Sequence, residues 1–351
     1  MSLIHLPQAK WGSGTGRQVI LKSDFEKIEQ AVLEGFQMAL APPLEYVDAA
    51  SLRVNATADC KARVMLCGFP SPLHPGQWVH GGLADGRYRE NSTALVLNFA
   101  TTGSLWGTEK NDQWYAVYAL AGAADTSFTL KAMPVLRVSS QATQIITLRH
   151  NGNSGDIGYG CSANELANGK LLLLSGASRG LLRPITANNN DNGNAGTITY
   201  GGSALTLAQG DWAMVLPPTN FRYLGMVLNS SDGNLAPFSQ ERGRYTYQTP
   251  RQAATGAING FTLFDLGLLT PPTARLLKGY AAAAAGYDLK LAVSYDGSNA
   301  ALILHAPAPS GDFQGGRGAM PFSCRLLEGS RLYFNNDNTA NQVVKITGWE
   351  E

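Results

Sequence analysis

The chain has 351 residues, of which 44% are hydrophobic and 15% charged, with a formal net charge of +1. This length and apolar content allow two or three domains with ordinary cores and exclude a disordered chain. The near-neutral charge gives no electrostatic footprint for DNA or RNA. Charged residues fall well below the roughly 25% usual in soluble domains. Asn, Gln, Ser, Thr and Gly must therefore supply the polar surface, which suits a turn-rich β protein better than a helical cytoplasmic enzyme.

Residues 1–44 read as an extended arm, carrying Trp11 and the Gly-rich turn Gly12-Ser-Gly-Thr-Gly16, followed by a helix. Ser23 is a good N-cap, and Glu26 three residues later completes a capping box. Phe25, Ile28, Val32 and Phe36 mark one face, widened by Leu33 and Leu40, until Pro42 and Pro43 stop the helix. Its expected length is about 18 residues, ~27 Å. The start of the sequence lacks the basic front and apolar core of a secretory leader. No run reaches the ~20 apolar residues that span a bilayer, so no membrane partner is expected.

From Tyr46 the periodicity changes to short strands punctuated by Gly, Pro, Asp and Asn. Residues 45–248 are expected to form a central β domain of sandwich or barrel type. Its strands include Leu52–Val54, Arg63–Leu66, Ala94–Phe99, Trp114–Leu120, Phe128–Leu130, Val135–Val138 and Ile145–Leu148. Both faces of Trp114–Leu120 are apolar, so one is assigned to the chain's own core and the other to a neighbouring subunit. Residues 149–200 read as an Asn/Gly-rich β excursion, with Asn188–Gly196 as a surface loop. Thr249–Gly256 reads as a linker. Residues 257–351 then carry roughly seven strands in ~100 residues, the pattern of a small β-sandwich. Within it Leu289, Leu291, Val293 and Tyr295 alternate with Lys290, Ala292 and Ser294, one face buried and one exposed.

Cys60, Cys67, Cys161 and Cys324 form no CxxC pair and have no histidines at zinc-ligand spacing. They are expected as buried free thiols, with a 60–67 disulfide as the alternative. The Gly12–Gly16 turn lacks the Lys-Ser/Thr of a phosphate loop, and no serine sits in G-x-S-x-G spacing. His74 and His80 flank Trp78 without a defined partner set. Asp191 and Asp296-Gly-Ser-Asn299 could donate oxygens to calcium, yet neither matches the EF-hand loop, and turn formation accounts for both. No catalytic residue, cofactor or metal site is expected. Possible glycan contacts are the aromatics near polar side chains: Trp78, Tyr88, Trp106, Tyr280, Tyr287 and Tyr333.

Two segments carry a resemblance. Trp114-Tyr-Ala-Val-Tyr-Ala-Leu120 is answered about a hundred residues later by Phe221-Arg-Tyr-Leu-Gly-Met-Val-Leu228. That segment runs on through Asn229-Ser-Ser-Asp-Gly-Asn234, a hairpin signal, to Phe238-Ser-Gln-Glu-Arg-Gly243. The pattern resembles a module of bacteriophage tail, collar and fibre proteins, in which a "WY-V" strand precedes a "YRRLG-V-TDGSGNI-PF-Q-G" strand, turn and strand. The resemblance covers residues 114–250, with Met226 and Leu228 standing where the module has more polar residues. It implies a non-enzymatic virion structural protein of the tail, neck/collar or fibre apparatus, assembled in a host cytoplasm as a homo-oligomer, a trimer first, with other virion proteins as partners. The expected anchoring and interface residues are Trp11, Phe25, Ile28, Val32, Phe36, Trp114, Tyr115, Tyr223, Phe238 and Gln240. The alternatives are a receptor-binding fibre or spike recognising host surface glycan, a capsid decoration protein, and a secreted lectin or adhesin.

Overall fold

The computed structural model describes residues 42–70, 78–79, 88–149, 158–191, 195–241, 243–283, 289–294, 296–298, 300, 302–306, 319–326, 330–336 and 342–351. The expected helix, with Trp11, Phe25, Ile28, Val32 and Phe36, lies outside the described residues. The expected fold class, β domains led by a helix, is corrected here. The described residues contain no helix, and their strands build an all-β architecture around a closed barrel.

The chain opens with seven short strands: β1 (Leu44–Asp48), β2 (Ser51–Val54), β3 (Ala62–Met65), β4 (Phe69–Pro70), β5 (Trp78–Val79), β6 (Tyr88–Asn91) and β7 (Leu95–Asn98). They pair as β1-β2-β7, β3-β6 and β4-β5. The longer β8 (Gln113–Leu120) and β9 (Thr129–Pro134) follow. Next come β10 (Leu136–Ala142), β11 (Ile145–Arg149), β12 (Lys170–Leu173), β13 (Leu182–Asn188), β14 (Thr197–Tyr200) and β15 (Trp212–Leu216). These close into a barrel in the order β10-β11-β14-β13-β12-β15. β16 (Phe221–Asn229) returns to form the sheet β16-β8-β9. The remaining strands are β17 (Phe238–Glu241), β18 (Arg244–Thr255), β19 (Thr262–Asp265), β20 (Leu276–Ala283), β21 (Leu289–Ser294), β22 (Leu302–Ala306), β23 (Ala319–Arg325), β24 (Arg331–Asn335) and β25 (Gln342–Glu350). They make two sheets, β17-β18-β25-β20-β23 and β19-β24-β21-β22.

The two segments that carry the resemblance are hydrogen-bonded neighbours. β8 and β16 run antiparallel with Trp114 opposite Leu228, Tyr115 opposite Val227 and Ala116 opposite Met226. Nearly every residue of both strands is buried, which explains why apolar residues occupy both faces of each. The register shifts between Tyr223 and Gly225. Gly225 has φ +148°, and a methyl there would collide with the Tyr245 hydroxyl. This position admits glycine because the neighbouring strand leaves no space for a Cβ.

The Asn/Gly-rich excursion is no separate unit, because its strands β12, β13 and β14 are half of the barrel wall. Nor is its Asn run simply a surface loop. Asn188 is buried and accepts the Leu166 N–H at 2.8 Å while donating to Ser162 O at 2.8 Å. Asn189 accepts the Thr197 N–H at 2.7 Å. These short amides satisfy backbone groups that no ladder reaches, the role Asn plays in turns.

The expected linker 249–256 is also corrected. Residues 249–255 are the second half of β18, which pairs with β25 from Arg244 opposite Glu350 to Thr255 opposite Val343. Pro250 is tolerated because it falls in the register shift between Thr246 and Arg251, where the ladder needs no N–H from it. The seven strands expected beyond 257 are present as β19 to β25. Leu291, Val293, Leu332 and Phe334 of one sheet join Leu277, Ala281, Val344 and Ile346 of the other in a single apolar core.

That core reaches the central sheet through aromatic contacts. The Trp349 ring stacks on Tyr245 at 4.6 Å and meets Trp114 edge-on at 5.4 Å. The Trp114 indole N–H donates to Gly267 O at 2.6 Å. Truncating the fully buried Trp349 to Ala is expected to cost about 3–5 kcal/mol and to lower the urea midpoint of the whole chain in one transition. A loss confined to a second, separate transition would show that the C-terminal sheets unfold alone.

Candidate functional site

Trp114, Tyr115, Tyr223 and Phe238, expected at a subunit interface, are buried within this one chain. Tyr115 packs edge-on against Phe99 at 5.0 Å, and its hydroxyl accepts the Lys110 N–H at 2.7 Å. Phe238 lies 5.8 Å from Tyr245. Gln240 accepts the Leu44 N–H at 2.5 Å and donates to Leu224 O at 3.1 Å and to the Tyr245 hydroxyl at 2.6 Å, fastening β1, β16 and β18 together. These side chains are spent on intrachain packing, and neither face of β8 is left for a neighbour.

The glycan candidates scatter. Trp106 is buried, with the Lys131 ammonium 4.2 Å over its ring. Tyr88 lies on β6 and Tyr280 on β20, both half-buried and on different sheets. Tyr287 and the Trp78 side chain lie outside the described residues. Tyr333 lies on β24, its ring against Gly297, and none of the described candidates lines the hollow of useful size found on the C-terminal sheets.

That hollow forms on the outer face of the sheet β19-β24-β21-β22. Alternation sends Leu291 and Val293 inward and Lys290 and Ala292 outward, as expected. Ser294, expected exposed, is buried because its hydroxyl accepts the Gly297 N–H at 2.9 Å. Across the ladder Lys290 stands opposite His305, Ala292 opposite both Ile303 and Asn335, and Leu263 opposite Tyr333. Lys290, Ala292, Ile303, His305 and Asn335 line a hollow of about 290 Å³. Ile303 is 70% exposed beside it. The lining offers an ammonium, an imidazole and an amide around an aliphatic floor, a set that can bind a small oxygen-rich ring.

A second, smaller feature joins the start and end of the described chain. Phe69, Pro70, Arg179, Tyr223, Pro272, Thr273, Arg275 and Glu351 surround a slot of about 30 Å³, room for about one or two waters and not for a substrate ring. The Glu351 carboxylate accepts the Tyr223 hydroxyl at 2.9 Å and the Thr273 hydroxyl at 2.7 Å. Burial pushes its pKa up to about 7, against the lowering effect of those hydrogen bonds and of Arg275.

The cysteines are all free, and Cys60 is exposed rather than buried. Cys67 lies against the buried Arg222 guanidinium; burial still holds its thiol above the usual range, with Arg222 pulling the other way. Asp296 caps its own turn, whereas Asp191 holds a backbone segment 32 residues away. Asp191 accepts the Tyr159 N–H at 2.7 Å, and Asp296 accepts the Ser298 N–H at 2.9 Å. No group of three His, Cys, Asp or Glu among the described residues is placed to hold a metal. His74 and His80 lie outside the described residues. Searches against known family models, characterised proteins and solved structures each return no match.

Glu351 gives a pH signature. Its folded pKa is raised above that of the unfolded carboxyl, so its favourable contribution is full below about pH 4.5 and lost as pH rises through 7. Thermal unfolding of the wild type should lose stability across this window, and Glu351→Gln should flatten the decline. A variant with the same pH slope as wild type would show that Glu351 is ionised throughout.

Proposed function

We propose that the chain is a structural protein of a bacteriophage particle, in the tail, neck or fibre apparatus, acting by assembly and by presenting outward β surfaces. The observation that carries this reading is the pairing of Trp114–Leu120 with Phe221–Asn229, since the segments that resemble the phage module are neighbouring strands at the buried centre of the fold. The barrel continues from one end of this pair and the C-terminal sheets pack on the other through Trp349. Such an arrangement is a stiff display scaffold, and assembly contacts then fall on outer surfaces rather than on the motif aromatics. Light scattering of the purified chain should give a multiple of its 37.4 kDa mass, a trimer first. Mass spectrometry of gradient-purified particles from the producing culture should find the chain among the particle proteins. A strict monomer found only in the particle-free fraction overturns the reading.

A second reading is favoured by the hollow on the outer C-terminal sheet. We infer that this face contacts host surface glycan, with Asn335 and Lys290 bonding sugar hydroxyls. A glycan array probed with the full chain should show binding that Asn335→Ala weakens by at least 1–2 kcal/mol, about the loss when one buried polar pairing is removed. Binding equal in the variant and the wild type removes this face from the account.

A further inference from the structure

Four Asx-Gly pairs lie among the described residues: Asn168-Gly169, Asp232-Gly233, Asn259-Gly260 and Asp296-Gly297. In three of them the fold occupies the glycine N–H. Gly169 donates to Leu166 O at 3.2 Å, Gly233 to Ser230 O at 3.0 Å and Gly297 to the Ser294 hydroxyl at 2.9 Å. Asn259-Gly260 is the exception. Both residues are exposed, and neither the Gly260 N–H nor the Asn259 side-chain amide meets a hydrogen-bond partner among the described residues. Gly260 has φ +68°, and nothing stands within 4 Å of where a Cβ would be. The turn takes glycine for its backbone angle and leaves open space around the peptide that joins the pair.

The chain is fixed on either side of this pair. Before it, buried Ile258 donates its N–H to Asn336 Oδ1 at 2.5 Å and accepts the Asn336 N–H at 3.1 Å. After it, β19 begins at Thr262, opposite Phe334 of β24. The pair thus sits in the crossing from β18 to β19, which belong to different sheets. The backbone nitrogen that follows an asparagine is a latent nucleophile toward the side-chain amide carbon. A hydrogen bond on that nitrogen must open before it can react, and Gly260 has none to open.

We propose that Asn259 is a site of spontaneous deamidation, through a succinimide formed with the Gly260 nitrogen. The Gly260 amide gives its proton to solvent base, and its nitrogen attacks Asn259 Cγ. A Cγ–N bond forms, the Cγ–Nδ2 bond breaks, and Nδ2 leaves as ammonia with protons returned by solvent. Water then opens the ring at either carbonyl, giving aspartate or isoaspartate at 259, and no atom is oxidised or reduced. Isoaspartate routes the main chain through the side chain and lengthens it by a methylene between two anchored segments. β19 bears the consequence. It is an edge strand that pairs only with β24, and its Asp265 holds Arg137 of the barrel. Ageing at this exposed pair loosens the joint between the C-terminal sheets and the barrel.

The test ages the full chain at mildly alkaline pH and maps its peptides by mass spectrometry that separates aspartate from isoaspartate. Asn259 should convert about tenfold faster than Asn168, because Gly169 must first leave its hydrogen bond in the turn before β12. In denaturant the two rates should converge, since the same Asn-Gly sequence is then free at both positions. Both products should appear, and the aged chain should unfold at a lower temperature than the fresh one. Asn259→Gln should hold its fresh unfolding temperature over the same ageing. Equal rates at Asn168 and Asn259 in the folded chain overturn the proposal, as does aspartate without isoaspartate, which marks direct hydrolysis. An unfolding temperature that falls equally in Asn259→Gln overturns the consequence for β19.

Discussion

The structure depends on the contact between Trp114 and Trp349. Trp114 belongs to the central strand pair, and Trp349 to β25, the middle strand of the C-terminal five-stranded sheet. Each is essentially inaccessible to water, and each is held by more than area. The Trp114 indole N–H reaches Gly267 O at 2.6 Å, and the Trp349 ring lies nearly parallel to Tyr245, at 6°. Edge-on and offset-stacked rings are favoured by their quadrupoles beyond simple burial. Two regions far apart in sequence thereby share one core, which is why the apolar cluster runs unbroken from Leu44 to Trp349.

Charge supports the same joint from the side. Arg137, on the barrel strand β10, pairs with Asp265 at the end of β19 and lies 5.0 Å over the Trp212 ring. Its guanidinium can serve ion pair and ring together because it is planar and weakly hydrated. Asp265 also accepts the Gly267 N–H at 2.9 Å, placing the carbonyl that Trp114 uses. Barrel, central sheet and C-terminal sheets therefore converge on residues 265–267.

Much of this was legible in the sequence. Turn punctuation and apolar runs indicated most strands, roughly seven of them beyond residue 257, and alternation gave the buried face of Leu289–Ser294, where one face meets the core and the other meets solvent. Alternation failed where both faces are buried. It cannot say whether the second layer comes from the same chain, so Trp114 and Tyr115 read as interface residues although Phe99 and Trp349 of this chain cover them. Composition failed at Thr249–Gly256, where Pro, Ala and Gly signal a linker but a register irregularity absorbs the proline. The candidate hollow was not visible, because three separate strands bring Lys290, His305 and Asn335 together.

β18 carries a consequence for how this chain can be divided. Its first residues pair with β17 on one side and β25 on the other, and its last residues continue along β25 without leaving the sheet. β18 runs unbroken from Arg244 to Thr255, so no seam between modules falls within it. A C-terminal piece starting at 257 would present β25 with a naked edge where β18 had been, inviting a stranger's strand to fill it. Recombination that swaps the outer half of the protein, in nature or at the bench, must carry the strands from Phe238 onward with it.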